Sequence, residues 1–73
     1  MKISEKDMYV FMNRDLMFVD VTYDITRDIE EAMTLYTLDA AKIIREELDE
    51  PEEWAIVRLV RRIDLEEIVE GKL

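Results

Sequence analysis

The chain has 73 residues, with 19 acidic against 10 basic residues for a formal net charge of −9, and it contains neither cysteine nor histidine. A chain of this length forms one domain, residues 1–73, whose core is near the lower limit for independent stability. Disulfides and thiolate metal sites are excluded, so oligomerisation or docking on a partner is the remaining common source of stability. The charged N-terminal segment and the lack of a long apolar run predict a cytoplasmic protein with no membrane partner.

The first third of the chain is typical of a β-hairpin. A run of strand-forming residues at 8–12 precedes the polar Asn13-Arg14-Asp15, and residues 16–23 form a second apolar-rich stretch. Two such runs around residues that tolerate turn conformations predict strands at 9–12 and 16–23. The alternation of the second strand places Val19 and Val21 on its buried face.

Two helices are predicted in the middle of the chain. Thr26 is a candidate N-cap for a short helix that reaches residue 32, with acidic residues in its first turn. Thr37 is the candidate N-cap of the main helix, residues 38–48, whose apolar residues recur at helical spacing. Pro51 disfavours helical geometry in the residue before it, so this helix ends near Asp49.

The last third predicts a strand and a short helix. Residues 55–63 are β-branched and apolar on both parities, which indicates a strand buried on at least one face. Asp64 with Glu67 resembles a capping box, and Gly71 is well placed to end a helix, so a short C-terminal helix is predicted.

Elements this short bury their apolar faces only by packing together. The predicted class is α+β, with a small, mainly antiparallel sheet of three or four strands, the main helix on one face, and short flanking helices. The predicted core consists of seven residues: Val19, Val21, Leu38, Ala41, Ile44, Leu48 and Val57.

The order of these motifs resembles that of small uncharacterised proteins encoded by phages and prophages of Gram-positive bacteria. The resemblance covers residues 9–63 and rests on Tyr9-Val10-Phe11, on Leu16-Met17-Phe18-Val19, on residues 26–32 with Leu35 behind them, and on residues 40–44. This chain departs from the family pattern at the first turn, where Asn13-Arg14-Asp15 replaces a common glycine. The resemblance implies a fold and a mobile-element origin, and it carries no active site.

The residue types present predict a protein that is not an enzyme and holds no cofactor or metal. The one serine, Ser4, has no histidine or cysteine to pair with. Gly71 is the one glycine, so a phosphate-cradling loop is excluded. Carboxylates at Asp20, Asp24 and Asp28 lack the central glycine of a calcium loop, and a solvated acidic face is the simpler interpretation.

The most informative feature is a block of acids without a base at residues 46–53. We call it the acidic run, and its six members are the candidate partner-binding residues: Glu46, Glu47, Asp49, Glu50, Glu52 and Glu53. An acidic protein is repelled by phosphate and drawn to basic protein surfaces. The leading hypothesis is therefore a protein-interaction module, in its most specific form a phage-encoded inhibitor that engages a basic surface of a host nucleic-acid-binding or defence protein.

Two alternatives are also consistent with the sequence. Apolar residues on both parities of the predicted strands exceed what one helix covers, which favours a homodimer joined through the sheet, with Phe11, Phe18 and Trp54 as candidate contacts. A third interpretation is nucleic-acid binding through arginines of the last strand, flanked by aromatic residues. The net charge disfavours nucleic acid, and surface ion pairing is the simpler role for these arginines: Arg58, Arg61 and Arg62.

Overall fold

The computed structural model describes residues 8–61 and 64–72, which form a five-stranded antiparallel sheet with one main helix and two lone 3-10 turns. The predicted α+β class is confirmed. The helix and strands are β1 (Met8–Met12), β2 (Phe18–Val19), β3 (Ile25–Thr26), α1 (Leu38–Glu47), β4 (Ala55–Arg61) and β5 (Asp64–Glu70).

The strand order across the sheet is β3-β2-β1-β4-β5, so β1 lies at the centre and pairs with β2, the next strand in sequence, and with the distant β4. The register of β1 with β4 places Val10 opposite Val57 and Phe11 opposite Ile56. Because both strands are apolar on both parities, each contributes to a core on either face of the sheet.

The predicted hairpin is confirmed, but its second strand is much shorter than predicted. Asn13 organises the turn, since its side-chain oxygen accepts hydrogen bonds from the backbone N–H of Asp15 at 3.0 Å and of Met17 at 2.9 Å. The prediction of a strand over residues 16–23, with Val21 in the core, is wrong. The chain turns back after β2 because the Asp20 carboxylate accepts hydrogen bonds from backbone N–H groups that follow it, and this leaves Val21 74% exposed.

The predicted short helix over residues 26–32 is also wrong. Thr26 belongs to β3, and its hydroxyl accepts a hydrogen bond from the Asp28 N–H at 3.1 Å, which forms a turn rather than a helix cap. The helical segment is a single 3-10 turn, Ile29–Glu31, capped by the Asp28 side chain.

The main helix follows the prediction closely. Thr37 caps α1 by accepting a hydrogen bond from the Ala40 N–H at 3.1 Å. The helix ends at Glu47, and Leu48 has extended backbone geometry. Ala41 is fully buried, while the predicted core residues Leu38 and Ile44 pack against the core partly buried.

The predicted C-terminal helix is wrong, because residues Asp64–Glu70 form β5 and pair antiparallel with β4. The pairing gives β4 a second neighbour, which raises the strand count to five. The predicted strand at 55–63 is confirmed up to Arg61, and its last two positions lie outside the described residues.

Contacts between charged groups fix β5 to the helix. Glu70 accepts a hydrogen bond from the Arg45 guanidinium at 2.9 Å, and its other carboxylate oxygen lies 3.5 Å from the Lys42 ammonium. Gly71 follows with φ at +94°, and a Cβ placed there would lie 2.9 Å from the Cα of Ala55. Glycine is therefore required for close backbone approach and not as a helix terminator.

The core has two layers, one on each face of the sheet. Beneath α1, the buried cluster consists of Tyr9, Phe11, Val19, Ala41, Leu48, Trp54 and Ile56. The cluster on the opposite face consists of Val10, Met12, Phe18, Ala32, Ala55, Val57 and Leu59.

Candidate functional site

A cleft of about 490 Å³ opens at one end of the sheet, between the β2–β3 loop and the connection from α1 to β4. We call it the acidic cleft. Its apolar and aromatic lining comes from segments distant in sequence: Val19, Tyr23, Ile25, Leu48 and Trp54. Most of these residues belong to the core or border on it, so the cleft has a low-dielectric wall.

The remaining lining of the cleft is polar and predominantly acidic. Asp24 stands on the β2–β3 loop, while Asp49, Glu50 and Glu53 belong to the α1–β4 connection, and Asn13 completes the lining from the first turn. No basic residue is among the described residues that line it. Carboxylates beside an apolar wall focus a negative potential within the cleft.

A hydrogen bond between side chains joins the two segments that border the cleft. The Tyr23 hydroxyl donates to a carboxylate oxygen of Glu47, in the last turn of α1, at 3.1 Å. Desolvation of the phenol raises the pKa of Tyr23, and the hydrogen bond and negative charge of Glu47 raise it further. The contact therefore stabilises the protonated form of the Tyr23 side chain.

Two cleft residues have a backbone geometry that residues other than glycine rarely adopt. Tyr23 has φ at 68°, and Glu50 has φ at 55° in the left-handed region. Glu50 lies directly before Pro51, where the chain enters the 3-10 turn Pro51–Glu53. These conformations fix how the loop and the connection face the cleft, and each costs about 1–3 kcal/mol that surrounding contacts offset.

The loop that presents Tyr23 is organised by Asp20. One oxygen of its carboxylate accepts hydrogen bonds from the Thr22 hydroxyl at 2.6 Å and from two backbone N–H groups, those of Thr22 and Asp24. The Thr22 hydroxyl is the largest cause of a lowered pKa for Asp20; desolvation opposes the shift and the two backbone bonds add to it.

Within the described part of the chain, no group of three or more acidic residues is arranged to hold a metal ion.

The structure separates the acidic run into two groups. All six residues are exposed. Asp49, Glu50 and Glu53 line the acidic cleft, whereas three others lie outside its lining: Glu46, Glu47 and Glu52. The sequence did not indicate Tyr23, Asp24 or Ile25 as partners of the run, because only the turn after β2 brings them to it.

The described basic residues near α1 and β4 do not neutralise the run. Lys42 and Arg45 pair with Glu70, and Arg58 pairs with Glu67 across the β4–β5 hairpin. The predicted ion pairing of Arg58 is confirmed. Arg62 lies outside the described residues, so the arginine-lined nucleic-acid surface stays a prediction.

The three aromatic residues predicted as dimer contacts are buried within the chain. Phe11 is 0% exposed, Phe18 is 5% exposed and Trp54 is 7% exposed, so all three belong to the core of the chain itself. They offer almost no area to a second copy. The exposed apolar residues of the sheet are instead on its edges, among them Ile25 on β3 and two residues of β5: Leu65 and Ile68.

Comparisons of the chain with protein-family models, with curated proteins and with solved structures found no match. In the part of the chain that the structure describes, no helix has the length and apolar character needed to cross a membrane.

Proposed function

We propose that this protein is a non-enzymatic interaction module whose acidic run binds a basic surface on another protein. The observation that carries the proposal is that all six carboxylates of the run are exposed and that none forms an ion pair within residues 8–61 and 64–72. Uncompensated carboxylates attract basic surfaces and repel phosphates and anionic lipid. The absence of histidine and cysteine from the sequence supports the non-enzymatic part.

In its most specific form, the proposal identifies the partner as a nucleic-acid-binding protein of the host. Carboxylates spaced along one connection would then occupy positions that phosphates take in the partner's groove. The resemblance to phage-encoded proteins fits an inhibitor of host defence that acts in the host cytoplasm. The concentration of acids at residues 46–53, within a chain of net charge −9, supports this form.

Charge reversal at matched positions tests the proposal. Glu46→Lys with Glu53→Lys alters the run, and Asp15→Lys with Asp39→Lys makes the same change of net charge at exposed positions elsewhere. Glu47 is left unchanged because its carboxylate accepts the Tyr23 hydrogen bond. Circular dichroism checks that both variants fold.

The wild type and both variants are then used as baits in host lysate, and each captured basic protein is titrated at two salt concentrations. We expect the run variant to bind at least about tenfold more weakly, mostly through a slower association rate, and the control variant to bind much as the wild type does. Salt should weaken wild-type binding, because exposed charges are screened beyond about 8 Å at physiological ionic strength. Equal binding by the two variants would contradict the proposal.

A homodimer remains the second candidate, and the observation that favours it is the character of β5. This strand is at the end of the sheet, with β4 as its one neighbour among the described strands, and it exposes Leu65 and Ile68 at 41% and 43%. Exposed apolar edges of this kind pair with other chains. Sedimentation velocity at low and at high salt distinguishes a homodimer from a complex with a basic partner. Screening the negative charge of two identical chains strengthens self-association, whereas screening weakens binding to a basic partner.

A further inference from the structure

We infer that the acidic cleft is a recognition pocket for an arginine side chain of the basic partner, an inference that rests on the proposed function and names the group that is recognised. The cavity itself and its aromatic lining carry the inference, together with the carboxylates. The cleft combines a volume of about 490 Å³, the rings of Tyr23 and Trp54, and acids from two different segments.

The charge and the lining of the cleft define the chemistry of its ligand. Four carboxylates line it, those of Asp24, Asp49, Glu50 and Glu53, and they exclude an anion. The low exposure of Val19 and Trp54, at 2% and 7%, shows that the wall behind these acids is the protein core. A ligand that suits both features has a positive charge and a flat, weakly hydrated surface.

A guanidinium group meets these requirements better than an ammonium group. It is planar, donates paired hydrogen bonds that match a carboxylate, and stacks on aromatic rings at a low cost of dehydration. Tyr23 is 45% exposed, so its ring is accessible for stacking, and Glu47 fixes its hydroxyl. Acids on opposite borders of the cleft, Asp24 and Glu53, are then available to accept from the guanidinium nitrogens.

The size of the cleft favours a protein side chain over a free ion. One water takes about 30 Å³ in the liquid, so the cleft is far larger than a single ion needs and lies in the range of sites for small organic groups. The acidic run continues in sequence from the cleft residues to the exposed acids Glu46 and Glu52, which allows further basic residues of the same partner to lie along it. The pocket would therefore fix the register of a basic segment that the run attracts.

Blocked tripeptides are suitable probes, with arginine, citrulline or lysine between two glycines. Citrulline has nearly the shape of arginine without its charge. Trp54 is the one tryptophan of the chain and lines the cleft, so its fluorescence reports on changes at the cleft wall, and backbone amide chemical shifts locate the bound peptide. We expect the arginine peptide to shift the amide signals of residues 23–25 and 48–54. The citrulline peptide should bind at least about tenfold more weakly than the arginine peptide, and the lysine peptide about threefold more weakly.

Matched variants test the site on the protein side. Glu53→Gln removes a carboxylate from the cleft, and Glu52→Gln removes the adjacent exposed one, which does not line it. We expect Glu53→Gln to weaken the arginine peptide at least about fivefold and Glu52→Gln to leave it within about twofold. Equal losses in the two variants, or equal binding of the arginine and citrulline peptides, would overturn the inference.

Three further outcomes are decisive. If propylguanidinium, which carries the arginine head group and its single charge without a peptide backbone, binds more tightly than the tripeptide, the site prefers a free cation and the assignment to a protein segment is overturned. If the arginine peptide leaves Trp54 and the cleft amides unchanged while charge reversal of the run still abolishes capture of a basic protein, the cleft inference fails and the proposed function stands. If the arginine peptide binds in the cleft and the run variant captures basic proteins as the wild type does, the cleft inference stands and the proposed function of the acidic run fails.

Discussion

The hydroxyl of Tyr23 donates a hydrogen bond of 3.1 Å to the Glu47 carboxylate, and this contact joins the β2–β3 loop to the last turn of α1. The two residues are 24 positions apart in sequence, and the contact borders the acidic cleft. This bond therefore ties the loop that carries Tyr23 to the helix end that precedes the α1–β4 connection.

Removing the Tyr23 hydroxyl, or only the charge of its acceptor Glu47, tests the role of this bond. Tyr23→Phe should lower the free energy of unfolding only slightly, because the bond is exposed and water replaces it. Glu47→Gln should lower the pKa of Tyr23 towards its ordinary value, since the charge of Glu47 contributes to raising it, while desolvation keeps part of the shift. Urea denaturation of the two single variants and the double variant gives the coupling energy. Additive losses would show that the charge of Glu47 does not strengthen its contact with the Tyr23 hydroxyl in solution.

The carboxyl group of Asp20 should titrate below the ordinary range of an aspartate. Its pKa is lowered chiefly by the Thr22 hydroxyl, so Thr22→Val, which removes the hydroxyl and keeps the shape, should raise the pKa towards the ordinary value. A lowered folded-state pKa means that the stabilisation is present above the unfolded pKa, about 3.9, and is lost as the pH falls through the folded pKa. Carbon-detected NMR titration measures the carboxyl directly, and an unchanged pKa in Thr22→Val would contradict the assignment.

Neighbouring isoleucines of α1 provide a matched test of the helix orientation. Ile44 packs partly buried against the core, whereas Ile43 is 64% exposed. Ile44→Ala should lower the free energy of unfolding by about 2 kcal/mol, near the lower limit for core isoleucines, because some of the side chain already contacts water. Ile43→Ala should stay within about 0.5 kcal/mol of the wild type, since little apolar area is lost and alanine favours the helix. Chemical denaturation decides, and similar losses at both positions would show that the helix is rotated from the described orientation.

Gly71→Ala should destabilise the protein by more than about 1 kcal/mol. The residue has φ at +94°, where a side chain is strained, and the new Cβ would lie 2.9 Å from the Ala55 backbone. The loss should weaken the attachment of β5 to β4, so amide exchange in β5 should speed up more than in α1. Lys72→Ala is the control, because that exposed position follows the close contact. Wild-type stability in Gly71→Ala would mean that the close approach to Ala55 is absent.

The sequence by itself determined the features that depend on local chemistry. The Thr37 cap, the helical spacing through Ala41 and Leu48, and the apolar β1 and β4 all have a sequence signal that neighbouring residues do not override. The composition of residues 46–53 likewise ensured an exposed acidic surface, because unpaired carboxylates are rarely buried.

Tertiary structure decided the rest. Leu65 and Ile68 fit the spacing of a helix, but the open edge of β4 satisfies its backbone groups by pairing, and residues Asp64–Glu70 become a strand. The Asp20 turn ends β2 early, which turns Val21 outward and brings Tyr23 and Asp24 to the acidic run. No local pattern specifies that meeting, because the cleft exists only where a loop and a connection distant in sequence border the same end of the sheet.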